Sequence, residues 1–146
     1  MRVSRFAAII WLLASPAAAD CDAHVTLVDF GKVDFERVER GQDVTGRLSV
    51  SCDAPTRFEV AASAGHGSYD VRQMRGPGRR ALRYNLYVDA ARRRVWGDGI
   101  EAGTARIFGQ VDGRKPFVRP IYGRIHAGQS IAPGPYDDAV TITVHR

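Results

Sequence analysis

The segment Tyr122-Gly-Arg-Ile-His-Ala-Gly-Gln-Ser-Ile-Ala-Pro-Gly-Pro-Tyr136-Asp-Asp-Ala-Val-Thr-Ile-Thr-Val-His-Arg146 decides how this chain is read. A strand runs into a Gly/Pro turn, a tyrosine follows, and then Val140, Ile142 and Val144 alternate with Thr141, Thr143 and His145. Apolar and polar residues alternating with period two mark a half-buried strand. This one reaches the last residue, which predicts a sheet completed from outside the chain.

Working outward, the same pattern recurs. Val25 and Leu27, with Phe30 beyond them, mark a first strand. Val44, Gly46, Leu48, Val50 and Cys52 share one face of a second, with Thr45, Arg47, Ser49 and Ser51 on the other. Phe58 and Val60 mark a third. Leu82, Tyr84, Leu86 and Val88 oppose Arg83, Asn85, Tyr87 and Asp89, and weaker segments lie at 106–111 and 118–125. Gly65-His-Gly67, Gly76-Pro-Gly78, Asp98-Gly99, Asp112-Gly113 and Pro133-Gly-Pro135 supply the turns. No helical period longer than about two turns occurs, below the usual helix length. About seven short strands and no helices predict an all-β, immunoglobulin-like β-sandwich. Tyr136, near the start of the last strand, fits the tyrosine corner of such sandwiches.

Residues 1–19 are set apart. Arg2 and Arg5 precede the apolar run from Phe6 to Leu13, and Ala17-Ala18-Ala19 makes a small-residue cleavage site. That is a secretory signal peptide, too short for a permanent membrane anchor. The predicted mature chain, residues 20–146, is one domain without a transmembrane segment. Losing Arg2 and Arg5 lowers the formal charge from +5 to +3, and only Lys32 and Lys115 are lysines. Cys21 and Cys52 are the two cysteines of a chain bound for an oxidising compartment, so they are expected to pair. The chain-entropy model values that crosslink at roughly 3.5–4 kcal/mol.

Residues with catalytic potential do not form a constellation. His24, His66, His126 and His145 fall in separate segments, without H-E-x-x-H or any compact ligand spacing. There is no G-x-S-x-G elbow, and Ser68 beside His66 reads as a turn. Gly97-Asp98-Gly99 lacks the lysine of a phosphate loop, and Asp137 and Asp138 point to opposite faces of a strand. No enzyme, metal site or cofactor is expected. Arg72, Arg75, Arg79, Arg80 and Arg83 surround the Gly76-Pro-Gly78 turn, and Arg92-Arg93-Arg94 follow Asp89. Without interleaved aromatics they read as solvated loops, and no nucleic-acid partner is expected.

Five separated motifs then agree. Arg72-Gln-Met74, Leu82-Arg-Tyr-Asn-Leu-Tyr-Val-Asp89, Val95-Trp-Gly-Asp-Gly99, Ile121-Tyr-Gly-Arg-Ile125 and Gly134-Pro-Tyr-Asp-Asp-Ala-Val140 stand in the order and spacing of the spore coat protein U family. The chain resembles that family over nearly all of 21–146. The resemblance implies a pilin-like sandwich lacking its final strand. A periplasmic pilus chaperone would lend one during folding, and at the outer-membrane usher a neighbouring pilin subunit would replace it. On this view Val140, Ile142 and Val144 line the strand-acceptor groove, and the Arg146 carboxylate anchors the chaperone. The expected route runs through the periplasm to a pilus or coat on the cell surface, with a role in adhesion or biofilm formation. Two departures stand out. A donor strand needs roughly ten to fifteen residues at about 3.3 Å each, and only Asp20 separates the cleavage site from Cys21; the expectation is a subunit that accepts a strand and has none to give. His126 stands where the family usually has proline. The rival expectations are a self-complete secreted sandwich binding polysaccharide through Tyr87, Trp96 and the arginines, and, more distantly, a secreted hydrolase or metalloenzyme.

Overall fold

Eight strands, one short α-helix and two single-turn 3-10 helices make up the regular structure in a computed structural model that describes residues 18–26, 30 and 34–146. The predicted signal peptide lies outside these residues apart from 18 and 19, as does Leu27 of the expected first strand. In chain order the elements are β1 (Cys21–Thr26), α1 (Phe35–Arg40), β2 (Gln42–Cys52), β3 (Thr56–Ala62), β4 (Arg72–Arg75), β5 (Ala81–Tyr87), β6 (Ile107–Val111), β7 (Phe117–Ile125) and β8 (Ile142–His145). Five strands form one sheet in the order β1-β2-β7-β5-β4, and three form the other in the order β6-β3-β8. Every named pairing is antiparallel. The fold is an all-β, immunoglobulin-like sandwich.

The alternation in β2 does what its pattern requires. Leu48 and Val50 are fully buried, while Thr45, Arg47 and Ser51 are exposed. Phe58, Val60 and Ala62 of β3 meet them from the other sheet, and Leu82, Tyr84 and Leu86 of β5 extend the same core. At one end Phe58 packs edge-on against Phe117, with ring centroids 5.4 Å apart. Cys21 lies directly opposite Cys52 in the β1–β2 register, and the two form a disulfide across a separation of 31 positions. Asp20 and Asp53 continue the pairing just beyond it.

Three features depart from the expected pattern. β4 was hidden among the arginines that read as a solvated turn. Helix α1 was too short for its period to register, yet it buries Val38 completely. Phe30 lies outside β1 and is nevertheless buried, edge-on to Tyr84.

The largest correction concerns Arg72, which is fully buried. Its Nε and Nη2 donate to the Ser63 carbonyl (3.1 and 2.6 Å), Nη2 also to the Trp96 carbonyl (2.7 Å), and Nη1 to Asn85 Oδ1 (2.6 Å). Ser63 follows β3 in one sheet, whereas Arg72 and Asn85 belong to the other. The guanidinium therefore ties the sheets together. Asn85, 1% exposed, spends its amide group on the carbonyls of Tyr69 and Asp70. Trp96 adds a second tie: its Nε1 donates to the Val60 carbonyl while its own N–H donates to Leu86. Burial pulls the Arg72 guanidinium below its ordinary value, and Tyr84, Tyr69, Asp138 and Tyr87 pull it back. A planar fork with five donors matches this carbonyl arrangement, and an ammonium does not.

Removing that fork breaks four hydrogen bonds to three acceptors in the core. Arg72→Met is expected to destabilise the protein by about 3–5 kcal/mol, and Arg72→Lys should recover only a minor part of the loss. Urea denaturation of the soluble variants, read against the parent, checks both.

Candidate functional site

Two strands stand at the edges of their sheets on the same side of the sandwich. Among the described residues β1 pairs only with β2, and β8 only with β3. β1 and β8 lie against each other across the gap between the sheets. The register makes their incompleteness visible. Val25 and Ala23 oppose Leu48 and Val50; Val144 and Ile142 oppose Val60 and Ala62. The interior members of these pairs are 0–2% exposed. The edge members, with Cys21 and Val140, are only half-buried, although they pack on the same core. The outward residues Thr143 and His145 are exposed. An apolar row thus lies half-covered along each edge, beside backbone groups open to a further strand.

β8 is held in position by its approach. Tyr136 folds back on its own turn: its hydroxyl accepts from the Ala132 N–H and donates to the Ala132 carbonyl, the geometry of a tyrosine corner. Gly76 is needed beneath that ring, because a Cβ there would lie 2.2 Å from Tyr136 Cε1. Asp137 then exchanges two backbone hydrogen bonds with Arg75 of β4.

Asp138 turns inward, its side chain 3% exposed. Its carboxylate accepts from the Tyr84 hydroxyl (2.6 Å), from the N–H groups of His66 and Ala139, and contacts His66 Nδ1 at 2.6 Å. Burial first, and then Asp138, push the Tyr84 hydroxyl well above the ordinary tyrosine range, so it stays a donor. Gly65 makes room for this carboxylate: its φ is +64°, and a Cβ would lie 2.2 Å from Asp138 Oδ2. Finally Ser63 receives the Thr141 N–H on its hydroxyl and donates its own N–H to the Thr141 carbonyl. Ser63 is also the residue gripped by Arg72. The buried arginine and the open strand are two links apart.

Other expected residues fall into place around this edge. Arg146 follows β8 and lines, with His145, Arg57, Phe58 and Phe108, a cleft of about 770 Å³. Trp96 and Tyr87 are buried and offer no ring to a polysaccharide. The loop arginines are divided. Arg92 lies over the Tyr122 ring and donates to the carbonyls of Gly123 and Val44, so it is structural, whereas Arg75, Arg79, Arg80, Arg83, Arg93 and Arg94 are exposed. Asp98 caps its turn through the N–H groups of Ile100 and Glu101. His126, in place of proline, donates its N–H to Arg83 and accepts from Gln129 at its carbonyl. Burial, then Arg83 and Arg124, hold its imidazole below the ordinary value. Among the described residues no group of three His, Cys, Asp or Glu could hold a metal ion, and no helix is long and apolar enough to cross a membrane.

Sequence reasoning picked out the apolar row on the last strand. It missed Arg72, Tyr84, Asn85 and Asp138 as one polar network. The available signal was Asn85 amid the apolar residues of its strand, together with the motif positions of Arg72, Trp96 and Asp138.

The arrangement defines an immunoglobulin-like sandwich with half-covered edges at β1 and β8. The Spore Coat Protein U domain matches residues 11–143, and the chain belongs to that family. No curated protein matches it significantly. In fold it is similar to a chain of the CsuC–CsuE chaperone–tip adhesion subunit pre-assembly complex from the archaic chaperone–usher Csu pili of Acinetobacter baumannii. The TM-score is 0.63 and the identity 20%, over 88% of this chain and 40% of that one. This chain thus spans 40% of the length of that relative.

The Asp138 node should behave as a unit. Asp138→Ala leaves the Tyr84 hydroxyl and two amides unpaired and is expected to cost about 2–3 kcal/mol. Tyr84→Phe should cost about 1 kcal/mol in the parent and less in the Asp138→Ala background. A double-mutant cycle of denaturation free energies checks the coupling.

Proposed function

We propose that this protein is a secreted structural subunit of a surface fibre or coat of the archaic chaperone–usher kind. The open edge of β8, beside β1, accepts a β-strand from a partner. The observation that carries the proposal is the register contrast: half-buried Val25, Ala23, Val144 and Ile142 each sit opposite a residue that is essentially fully buried. Two rows of that kind match a strand whose alternate side chains fill an apolar groove while its main chain bonds to the open edges. Membership of the Spore Coat Protein U domain family and the fold likeness to a Csu pilus chain favour the same reading.

In this account a periplasmic chaperone supplies the strand first. A neighbouring pilin subunit replaces it at an outer-membrane usher. Val140, Ile142 and Val144 line the groove, and Arg146 at the end of β8 is the chaperone's anchor point. The protein passes through the periplasm to the cell surface, where it contributes to adhesion or biofilm formation. Its role is structural and needs no catalytic group. The disulfide Cys21–Cys52 fixes β1, one wall of the groove, to β2.

The two faces of β8 make the test. Ile142 is half-buried and faces the gap; Thr143 is exposed on the other side. Ile142→Asp should abolish recovery of the chaperone-bound subunit, because the incoming strand would bury an unpaired carboxylate. Thr143→Asp should be tolerated. Co-purification of each variant with the chaperone reads the difference, and equal effects would sink the assignment of the groove face.

A further inference from the structure

The sandwich has a second opening, away from the β1–β8 edge. β5 pairs with β7 only from Tyr84↔Ile125 to Tyr87↔Tyr122. The preceding residues of β7, 117–121, are paired only on the β2 side among the described residues. β6 is likewise an edge, paired only with β3. Between these two edges, under the loop that follows β5, lies a cleft of about 350 Å³. That is within the size range of small-ligand sites.

Three arginines line it: Arg94 from the loop, Arg106 before β6, and Arg119 from β7. Arg106 is fixed as a wall by Glu59 (2.7 Å) and the Asp98 carbonyl. The other two make no side-chain hydrogen bond or ion pair among the described residues, although Arg94 is near enough to Asp89 to help lower its carboxyl. Asp89 is the one carboxylate in the lining, and it is engaged by the N–H groups of Arg93 and Arg94. Arg119 is also out of place for its row. It pairs with Leu48 and shares a face with buried Ile121, yet it is exposed. Phe108, on the rim, is 63% exposed. An apolar ring and unpaired guanidinium groups thus meet in one recess.

We propose that this cleft binds an acidic saccharide, one uronate unit of a polyanionic glycan, with Arg94 and Arg119 on its carboxylate and the Phe108 ring against its apolar face. Arginine forks suit carboxylates, and charge-assisted bonds of this kind are the stronger ones. The open main chain of β7 offers groups for hydroxyls. An acidic peptide adding as a strand is the less suited occupant. Pro120 lies within the unpaired stretch and has no N–H for a ladder. This inference stands apart from the strand-acceptor reading: Arg94 and Arg119 lie away from the β1–β8 edge, and the recess shares only Phe108 with the cleft beside Arg146.

The test is calorimetric titration of residues 20–146, free or chaperone-bound as solubility requires, with trigalacturonate, neutral trigalactoside and hexaglutamate. Trigalacturonate should bind at one site and the neutral sugar should not. The double change Arg94→Gln/Arg119→Gln should weaken binding about tenfold or more, and Phe108→Ala should weaken it too. Arg114→Gln, the loss of one positive charge at an exposed turn, should leave it unchanged, with melting curves of all variants matching the parent. Absence of trigalacturonate binding would overturn the proposal. So would equal binding of the neutral sugar, tighter binding of hexaglutamate, or an equal loss on Arg114→Gln.

Discussion

The buried guanidinium of Arg72 is the interaction on which the rest of this structure depends. A full positive charge sits in the core with no carboxylate among the described residues hydrogen-bonded to it, held instead by two carbonyls and an asparagine amide oxygen. Such a group is costly to desolvate and tolerable only when its donors are engaged. Its requirements therefore constrain everything nearby. Ser63 must present its carbonyl at the end of β3, Trp96 must cross between the sheets, and Asn85 must turn its oxygen inward. Because Ser63 also bonds Thr141, the same demand locates the start of β8.

That coupling explains how the half-covered β8 edge is held in place. Interior strands bury their apolar rows to near completion, and β1 and β8 do not. An open apolar edge is ordinarily an aggregation hazard. Here it is framed by fixed structure: a disulfide at the β1–β2 end, the Asp138 carboxylate and tyrosine corner before β8, and Arg72 behind them. On the strand-acceptor proposal, the half-covered row gains roughly 25 cal/mol for each Å² that a partner strand takes from water. Preorganisation lets more of that gain appear as affinity, since the groove has little left to order.

Much of this architecture was legible from residue patterns. Strand alternation located β2, β5 and the last strand, and it named the inward residues of β8 correctly because period two leaves only two choices of face. The cysteines paired as compartment and number required. What pattern reading could not supply was the polar interior. Arg72 and its neighbours looked like a charged turn, because periodicity treats a polar residue as outward and has no means of pairing it with carbonyls from another sheet. For the same reason β4 was missed, and Asp137 and Asp138 read only as neighbours on opposite faces of a strand. Helix α1 is too short to show a period, and the burial of its Val38 is a tertiary effect. Function was legible mainly through family resemblance, to which the half-buried edges add a physical reason.

The most direct test of the central claim is the solution behaviour of residues 20–146 alone and with a periplasmic chaperone of the archaic chaperone–usher kind, followed by size exclusion and thermal melting. The account predicts aggregation or non-cooperative melting of the isolated chain, and recovery as a one-to-one complex that melts cooperatively. A monomer that melts cooperatively on its own, with no gain from the chaperone, would contradict it.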